Sequence, residues 1–224
     1  MAKITAHTFN FLTDLAQNND RDWFTENKPR YDQSHKEMYT FGEQLISKMN
    51  EFDSISTPSG KKSLYRIYRD VRFSKNKDPY KTHMGIWMNT NHGNNNGPGY
   101  YIHIEKGNSF FAGGMYGPEN DDLRKIRKEI AFFYEDLEAI LGEAKFKKVY
   151  SGLNVTETNS LKNGPKDFEK DHPAISFLKL KSFVCIHKFD DSELTKPNFV
   201  KDTAAKLILL KPLLEFLNRG LFTD

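Results

Sequence analysis

The sequence predicts an α+β fold in which an antiparallel β-sheet, a meander, packs against several long helices. Large residues recur at three- and four-residue spacings between positions 30 and 52, which is the period of one buried helix face. Between positions 84 and 115 the apolar residues form short segments separated by turn-forming residues, a pattern typical of antiparallel strands. Helical spacing returns after Pro118. Helices on either side of one group of strands indicate the α+β class.

Composition is that of a globular protein. Of the 224 residues, 38% are hydrophobic and 28% are charged, which excludes disordered, collagen-like and disulfide-scaffold chains. The single cysteine, Cys185, cannot form an internal disulfide and is expected to be a small buried apolar residue. The sequence shows no internal repeat and no linker rich in Pro, Gly or Ser, so we predict a single domain over residues 1–224.

The sequence predicts neither a signal peptide nor a membrane helix. The first residues lack the apolar stretch of a signal peptide, and no apolar run approaches the roughly 18 residues that a membrane helix needs. We therefore expect a cytoplasmic protein without a membrane segment. The sequence does not indicate an oligomeric state.

The first elements follow from caps and spacing. Thr8 can cap a first helix, which is expected to end at Asn18. A longer helix is predicted over residues 30–52, followed by a loop over residues 53–60. Three strands are predicted over residues 84–88, 100–104 and 109–115, and the asparagine-rich residues 91–96 form the polar tip of a hairpin between the first two.

The later elements are bounded by prolines and glycines. Pro118 opens the clearest helix, which has acidic residues in its first turn, places Phe133 on its inner face and ends at Gly142. A short helix is predicted after Pro173, and a strand over residues 181–188. A terminal helical segment over residues 198–219 contains Pro212, which predicts a kink or a split into two helices, the second opened by this proline.

Positive charge is concentrated in residues 61–81, which we call the basic segment. The whole chain has a formal net charge of +3, too small for a nucleic-acid coat or a polybasic membrane anchor. The basic segment alone holds eight Lys and Arg residues against two Asp residues, a net charge of +6. Tyrosines and a phenylalanine lie between these charges, so this segment is the main functional candidate.

The arginines of the basic segment admit two backbone conformations. As a strand, residues 64–73 put Arg66, Asp70 and Arg72 on one face. As a helix, they make Arg66 and Asp70 an i,i+4 pair. In either conformation one carboxylate cannot satisfy three guanidinium groups, those of Arg66, Arg69 and Arg72, because each carries five N–H donors. The spare donors face water, other groups of the protein or an anionic ligand.

The residues that follow the arginines favour an anionic ligand as the partner of the spare donors. The stretch from Phe73 to Lys81 is expected to be a loop, because Pro79 restricts the residue before it to extended geometry. Arginine binds phosphate or carboxylate bidentately, lysine adds a mobile charge, and tyrosine stacks on a base or sugar. The predicted partner is an anionic small molecule or a nucleic acid, and the predicted ligand-binding residues are Arg66, Arg69, Arg72, Lys75, Lys77, Tyr80 and Lys81.

Two alternatives stay open. In one, the protein is an enzyme that processes a phosphoester, with Asp70, His83 or His103 as the acid–base group. In the other, the arginines and Asp70 only stabilise the fold, since structural ion-pair networks look like binding sites in a sequence.

No two histidines in or near ordered segments have the i,i+2 or i,i+4 spacing of a metal pair, so the sequence predicts no metal site. It contains no nucleotide-cofactor fingerprint, and no cofactor is predicted.

The basic segment also resembles a known family. Arg66, Arg69, Asp70, Arg72 and Phe73, followed by Lys77 and Tyr80, are similar to the pattern Arg-x-x-Arg-Asp-x-Arg-Phe with a downstream Lys-x-x-Tyr. This pattern belongs to mainly bacterial proteins of about this length that are grouped as a domain of unknown function. Other similar positions are Asn18-Asn19, Arg21, Trp23, Phe24, Tyr101, His103, Gly113-Gly114, Tyr116, Ile126-Arg127 and residues 179–182. The resemblance covers nearly the whole chain and implies no catalytic role for any residue.

Overall fold

The computed structural model describes residues 3–90 and 97–222, and it confirms the α+β class. The predicted hairpin tip, residues 91–96, lies outside the described residues. The helices are α1 (Ala6–Gln17), α2 (Arg21–Glu26), α3 (Lys28–Met49), α4 (Gly60–Ser63), α5 (Asn120–Phe132), α6 (Tyr134–Gly142), α7 (Ala144–Val149), α8 (Ile175–Leu178), α9 (Phe199–Leu207) and α10 (Lys211–Phe222). The strands are β1 (Met84–Asn89), β2 (Gly99–Ile104), β3 (Phe110–Met115) and β4 (Phe183–Lys188).

The four strands form one sheet with the order β1-β2-β3-β4, the predicted antiparallel meander. By its internal contacts the chain divides into two compact units. The first unit holds Met1–Met88, Tyr101–Phe111 and Lys188–Ala205, and the second holds Asn89–Tyr100, Ala112–His187 and Lys206–Asp224. No helix of the described residues is both long enough and apolar enough to cross a bilayer.

The first unit is built on the long helix α3. Gly42 of α3 lies against α4, where an added Cβ would be 3.1 Å from the Ser63 hydroxyl oxygen and 3.2 Å from Cα of Gly60, and a glycine permits this close approach. On the same helix, Phe41 stacks on Phe199 of α9, with ring centroids 5.3 Å apart. Phe199 also contacts Phe111 of β3. Aromatic packing therefore joins α3, α9 and the strands in one core.

The start of α1 differs from the prediction. The N-cap is Thr5, whose side chain accepts a hydrogen bond from the backbone N–H of His7. Thr8, the predicted cap, lies inside the helix and is fully buried. Its hydroxyl donates to Glu37 of α3 over 2.8 Å, as does the hydroxyl of Thr5. Threonine is a favourable cap at either position, but here Thr5 caps the helix while Thr8 binds α3 from inside it.

The helix predicted from Pro118 to Gly142 is two helices. Helix α5 ends at Phe132, and Phe133 leaves helical geometry with φ −127° and ψ 45°. Phe133 was expected on the buried face, but it is 46% exposed and its ring lies under the guanidinium of Arg219, 4.5 Å away. The break between the two helices therefore places the Phe133 ring where it makes a cation–π contact with Arg219. The split at Pro212 is confirmed, because α10 begins at Lys211.

Cys185 provides a first testable prediction. The residue lies in β4 and is fully buried, as predicted, and burial raises the pKa of its thiol to about 12. Only the thiolate is nucleophilic, so we expect the native protein to react with a disulfide reagent at pH 8 at least about 1000-fold more slowly than the urea-unfolded protein. Absorbance of the released thiolate measures both rates. A native rate within tenfold of the unfolded rate contradicts this burial.

Candidate functional site

The basic segment folds back on itself. Antiparallel bridges pair Leu64 with Ile86 and Tyr68 with Tyr80. Backbone hydrogen bonds from Arg69 N–H to the carbonyl of Pro79 and from Lys81 N–H to the carbonyl of Ile67 extend the second pairing. Residues 70–78 form the connecting loop. Of the two conformations that the sequence allowed, the extended one is present and the helix is not.

Side chains alternate along this extended segment as a strand requires. Ile67 is buried, whereas its neighbours Arg66 and Tyr68 are exposed. Asp70 and Arg72, in the connecting loop, are exposed as well. The alternation therefore presents the polar face of the segment to solvent.

The three arginines have different partners. Arg72 binds Asp70 with two parallel hydrogen bonds, Nε to Oδ1 over 3.0 Å and Nη2 to Oδ2 over 2.7 Å. Arg69 donates to the backbone carbonyl of Asp78 over 3.0 Å. Within the described residues the Arg66 guanidinium donates no hydrogen bond, although its charge acts on Asp70. The hydrogen bonds from Arg72 hold the pKa of the Asp70 carboxyl below its ordinary value, with the charge of Arg66 as a smaller contribution.

The lysines and Tyr80 are divided between the fold and the surface. Lys77 donates to the carbonyl of Val71 over 2.9 Å, and Lys81 donates to the carbonyl of Arg66 over 2.8 Å. The exposed Lys75 ammonium makes no hydrogen bond to any part of the chain that the structure describes. Tyr80 is buried. These contacts let Lys77 and Lys81 fix the shape of the loop while Lys75 stays available.

Tyr80 anchors the basic segment to the helices at the start of the chain. Its ring stacks on Phe24 of α2 with centroids 4.0 Å apart. Asn19 accepts from the Tyr80 N–H and donates to its carbonyl, both over 3.0 Å. Two positions of the family resemblance, Asn19 and Phe24, therefore hold the segment in place.

Aromatic side chains stand among the exposed charges. Phe73 is 96% exposed, and Tyr65 and Tyr68 are about half exposed. The guanidinium of Arg72 lies 5.8 Å from the Phe73 ring centroid. An exposed phenylalanine offers apolar area and a flat face on which a partner's ring can stack. The surface thus combines free cations with an uncovered ring.

A second group of side chains lies beside the basic segment, and we call it the histidine–glutamate cluster: His83, His103 and Glu105. The rings of His83 and His103 have centroids 4.3 Å apart. His103 Nε2 lies 3.3 Å from Glu105 Oε2. One ligand-capable atom from each of the three residues lies within 4.8 Å of the other two. The structure therefore supplies partners to both histidines that the sequence indicated as acid–base candidates.

Neighbouring residues fix the orientation of the cluster. The hydroxyl of Tyr101 lies 3.0 Å from His103 Nδ1, and Phe110 stacks on the His103 ring at 4.6 Å. Asn108 donates to Glu105 Oε2 over 2.8 Å. Gly85 leaves room for the tyrosine, since a Cβ there would be 2.7 Å from its hydroxyl oxygen. The imidazole of His103 is held at both nitrogens and on one face.

Burial sets the protonation states. It lowers the pKa of His83 to about 4, with the neighbouring His103 as a second cause. Burial also lowers the pKa of His103. Burial would raise the pKa of Glu105, but the hydrogen bonds from Asn108 and His103 outweigh it, and the net shift is downward. At neutral pH the cluster therefore holds neutral imidazoles and an ionised carboxylate.

The sequence indicated His83 and His103 but not their association. His83 precedes β1 and His103 lies in β2, so no helical or strand spacing relates them, and only the pairing of the two strands brings them together. A signal for part of the cluster was present. Tyr101, His103 and Glu105 occupy every second position, which places them on one face of a strand.

The second unit contains a cleft of about 540 Å³. Tyr116, Lys181 and Ser182 line it, and these positions belong to the family resemblance. Lys181 donates to the carbonyl of Thr158, and the Ser182 hydroxyl accepts from the N–H of Gly117. The polar side chains of the cleft thus hold its own backbone together.

The structure defines an α+β protein that carries an exposed basic loop with an aromatic ring and, in the same unit, a histidine–glutamate cluster. The family described as Conserved hypothetical protein (DUF2461) matches residues 7–216, and the chain belongs to this family. The match confirms the resemblance to an uncharacterised family. No curated protein and no solved structure matches the chain.

Proposed function

We propose that the protein binds a phosphorylated polyanion, single-stranded nucleic acid in particular, on the exposed face of the basic segment. The observation that carries this proposal is that Arg66, Phe73 and Lys75 are all exposed in one folded-back segment, Arg66 in its paired part and the other two in its loop. The two cations make no hydrogen bond to the described residues, and the ring is 96% exposed. A ligand that offers phosphates and flat bases complements both features.

The electrostatics favour a chain of phosphates. Within the segment's net charge of +6, the two carboxylates are already engaged, Asp70 by Arg72 and Asp78 by Asn76 and Arg69. Arg72 retains exposed donors, because its side chain is 76% exposed. Each Lys or Arg that neutralises a phosphate releases condensed counterions, which drives binding at low salt.

The geometry disfavours the two alternatives for the basic segment. Asp70 is a poor general base, because both its oxygens accept hydrogen bonds from Arg72 and its pKa is lowered. A purely structural role accounts for Arg69, Lys77 and Lys81, whose bonds to backbone carbonyls hold the loop. A structural role does not account for the exposed side chains of Arg66, Phe73 and Lys75.

Fluorescence anisotropy of a labelled single-stranded oligonucleotide, titrated with the protein at several KCl concentrations, tests the proposal. We expect the double variant Arg66→Ala/Lys75→Ala to reduce affinity at least tenfold at low salt. The slope of log K against log salt should become shallower by about 0.7 for each phosphate that the variant no longer neutralises. Phe73→Ala should weaken binding about 5- to 150-fold, because base–aromatic stacking contributes about 1–3 kcal/mol.

The matched control is Lys166→Ala/Lys170→Ala, which removes the same charge at two positions outside the basic segment. It should leave affinity within twofold of the wild type. Equal losses in both double variants would mean that net charge alone drives the binding and would contradict the proposed surface. Absence of binding by the wild type at 50 mM salt would contradict it as well. If ATP raised the melting temperature but the oligonucleotide did not bind, the proposed polymeric ligand would be wrong and a mononucleotide would be the ligand.

A further inference from the structure

We infer that His83, His103 and Glu105 form a binding site for a divalent transition-metal ion, of which Zn²⁺ is the best fit. These three side chains of suitable chemistry lie on two neighbouring strands and their connections, and they share no residue with the proposed nucleic-acid surface. Two imidazoles and one carboxylate are a common ligand set for zinc and for non-haem iron.

The distances suit an ion of this size. Zinc bonds of about 2.0–2.1 Å to nitrogen and oxygen place two neighbouring tetrahedral donors about 3.3 Å apart. His103 Nε2 and Glu105 Oε2 have this separation, 3.3 Å. The three donor atoms all lie within 4.8 Å of one another, so small rotations of the His83 side chain complete the set. The backbone does not need to move.

The surroundings are those of a metal-binding histidine. A ligating imidazole donates its second N–H to an oxygen, which fixes its tautomer and its plane. The Tyr101 hydroxyl is placed to accept this bond from His103 Nδ1 at 3.0 Å. In the metal-free cluster Nε2–H donates to Glu105, so binding of the ion would move the ring proton to Nδ1 and leave the Nε2 lone pair for the metal. Phe110 covers the ring, so the imidazole cannot rotate away.

The carboxylate is supported in the same way. Asn108 donates to Oε2 of Glu105 over 2.8 Å, while Oε1 makes only a long contact of 3.5 Å with the Thr82 hydroxyl. The lysine nearest along the chain, Lys106, pairs with Asp191 instead. Glu105 therefore keeps its negative charge for the two histidines and for the ion between them.

Three protein ligands leave a coordination position for water or for a ligand oxygen. Structural zinc sites use four protein ligands, whereas catalytic ones use three and keep the fourth position open. Imidazole and carboxylate donors select Zn²⁺ and its neighbours over Mg²⁺ and Ca²⁺, which require oxygen donors alone. We expect no competition from Mg²⁺ at millimolar concentration.

Isothermal titration of chelator-treated full-length protein with ZnCl₂ tests the site. We expect one Zn²⁺ per chain in the wild type and a rise in melting temperature with added zinc. His83→Gln and Glu105→Gln should each weaken affinity more than about 100-fold, because each removes a ligand. Tyr101→Phe should cost about tenfold, the lower end of the effect of an outer-shell partner. Visible absorption of Co²⁺ in place of zinc reports the coordination number.

His172→Gln is the control, since His172 is a histidine outside the cluster whose Nδ1 accepts from the N–H of Ala174. This variant should bind Zn²⁺ like the wild type. Circular dichroism checks that each variant folds, and Glu105→Gln, the nearest in shape, carries the test if a histidine variant does not fold. A folded wild type that binds no zinc overturns the inference. Equal affinity of the wild type, His83→Gln and Glu105→Gln would mean an adventitious ion only and would overturn it too.

Discussion

Replacing Gly114 by alanine is expected to lower the free energy of unfolding by about 3–5 kcal/mol. Gly114 lies in β3 with φ +129°, a conformation that residues with a side chain rarely adopt. A Cβ at this position would lie 2.0 Å from the carbonyl oxygen of Phe183 and 2.9 Å from Cα of Val184, both backbone atoms of β4. The backbone cannot yield as a flexible side chain would, so the alanine strains β3 and separates it from β4.

Urea unfolding followed by circular dichroism measures this loss. Gly142→Ala is the matched control, because a Cβ there meets nothing within 4 Å and alanine favours the helix α6 in which Gly142 lies. We expect that variant to be as stable as the wild type or slightly more stable. A Gly114→Ala protein within 1 kcal/mol of the Gly142→Ala protein would show that the close approach of β3 and β4 is not required.

The parts of the fold that the sequence predicted are those set by local chemistry. The three predicted strands of the meander match β1, β2 and β3, because the turn-forming residues between them leave few alternatives. The division at Pro212 follows from the proline's own geometry. Thr8 and Phe133 differ from their predicted places, since Glu37 and Arg219 act on them from elements distant in the chain. Tertiary contacts of this kind leave no periodic mark.

The basic segment shows how far a charge pattern leads. The excess of Lys and Arg identified an exposed surface, and the strand alternative agrees with the pairing at Leu64 and Tyr68, whereas Asp70 and Arg72 lie in the loop that follows. The pattern could not separate Lys75 from Lys77, which differ only in the backbone carbonyls that the fold brings to Lys77. Nor could it show that Tyr80 stacks on a phenylalanine from a helix near the start of the chain.

The histidine–glutamate cluster, unlike the basic segment, could not be recognised from the spacing of its residues along the chain. Spacing along the chain spoke against a metal pair, but spacing relates only residues within one element. His83 precedes β1 and His103 lies in β2, so their contact is a consequence of strand pairing. The alternation of Tyr101, His103 and Glu105 contains two of the three members of the cluster. Polar residues at every second position of a strand are therefore the sequence signal for these two members.

Replacing Arg219 by methionine is expected to lower the free energy of unfolding by about 2–4 kcal/mol, because it leaves a buried carboxylate without a cation. Glu129 of α5 is only 4% exposed, and the Nε of Arg219 in α10 donates to its Oε1. The two helices meet closely here, since a Cβ on Gly220 would lie 2.7 Å from Cβ of Glu129. The loss stays below that of a fully buried pair because Arg219 is itself 47% exposed.

A double-mutant cycle separates this pairing from simple loss of packing. Glu129→Gln in the Arg219→Met background removes the unpaired charge and should restore part of the lost stability. Asp136→Asn removes the second partner of Arg219, and both of these side chains are about half exposed. Exposed ion pairs contribute little, so this control should change stability by less than about 1 kcal/mol. An Arg219→Met loss no larger than the Asp136→Asn loss would mean that Glu129 finds water or another donor. The contact between α5 and α10 would then rest on apolar packing alone.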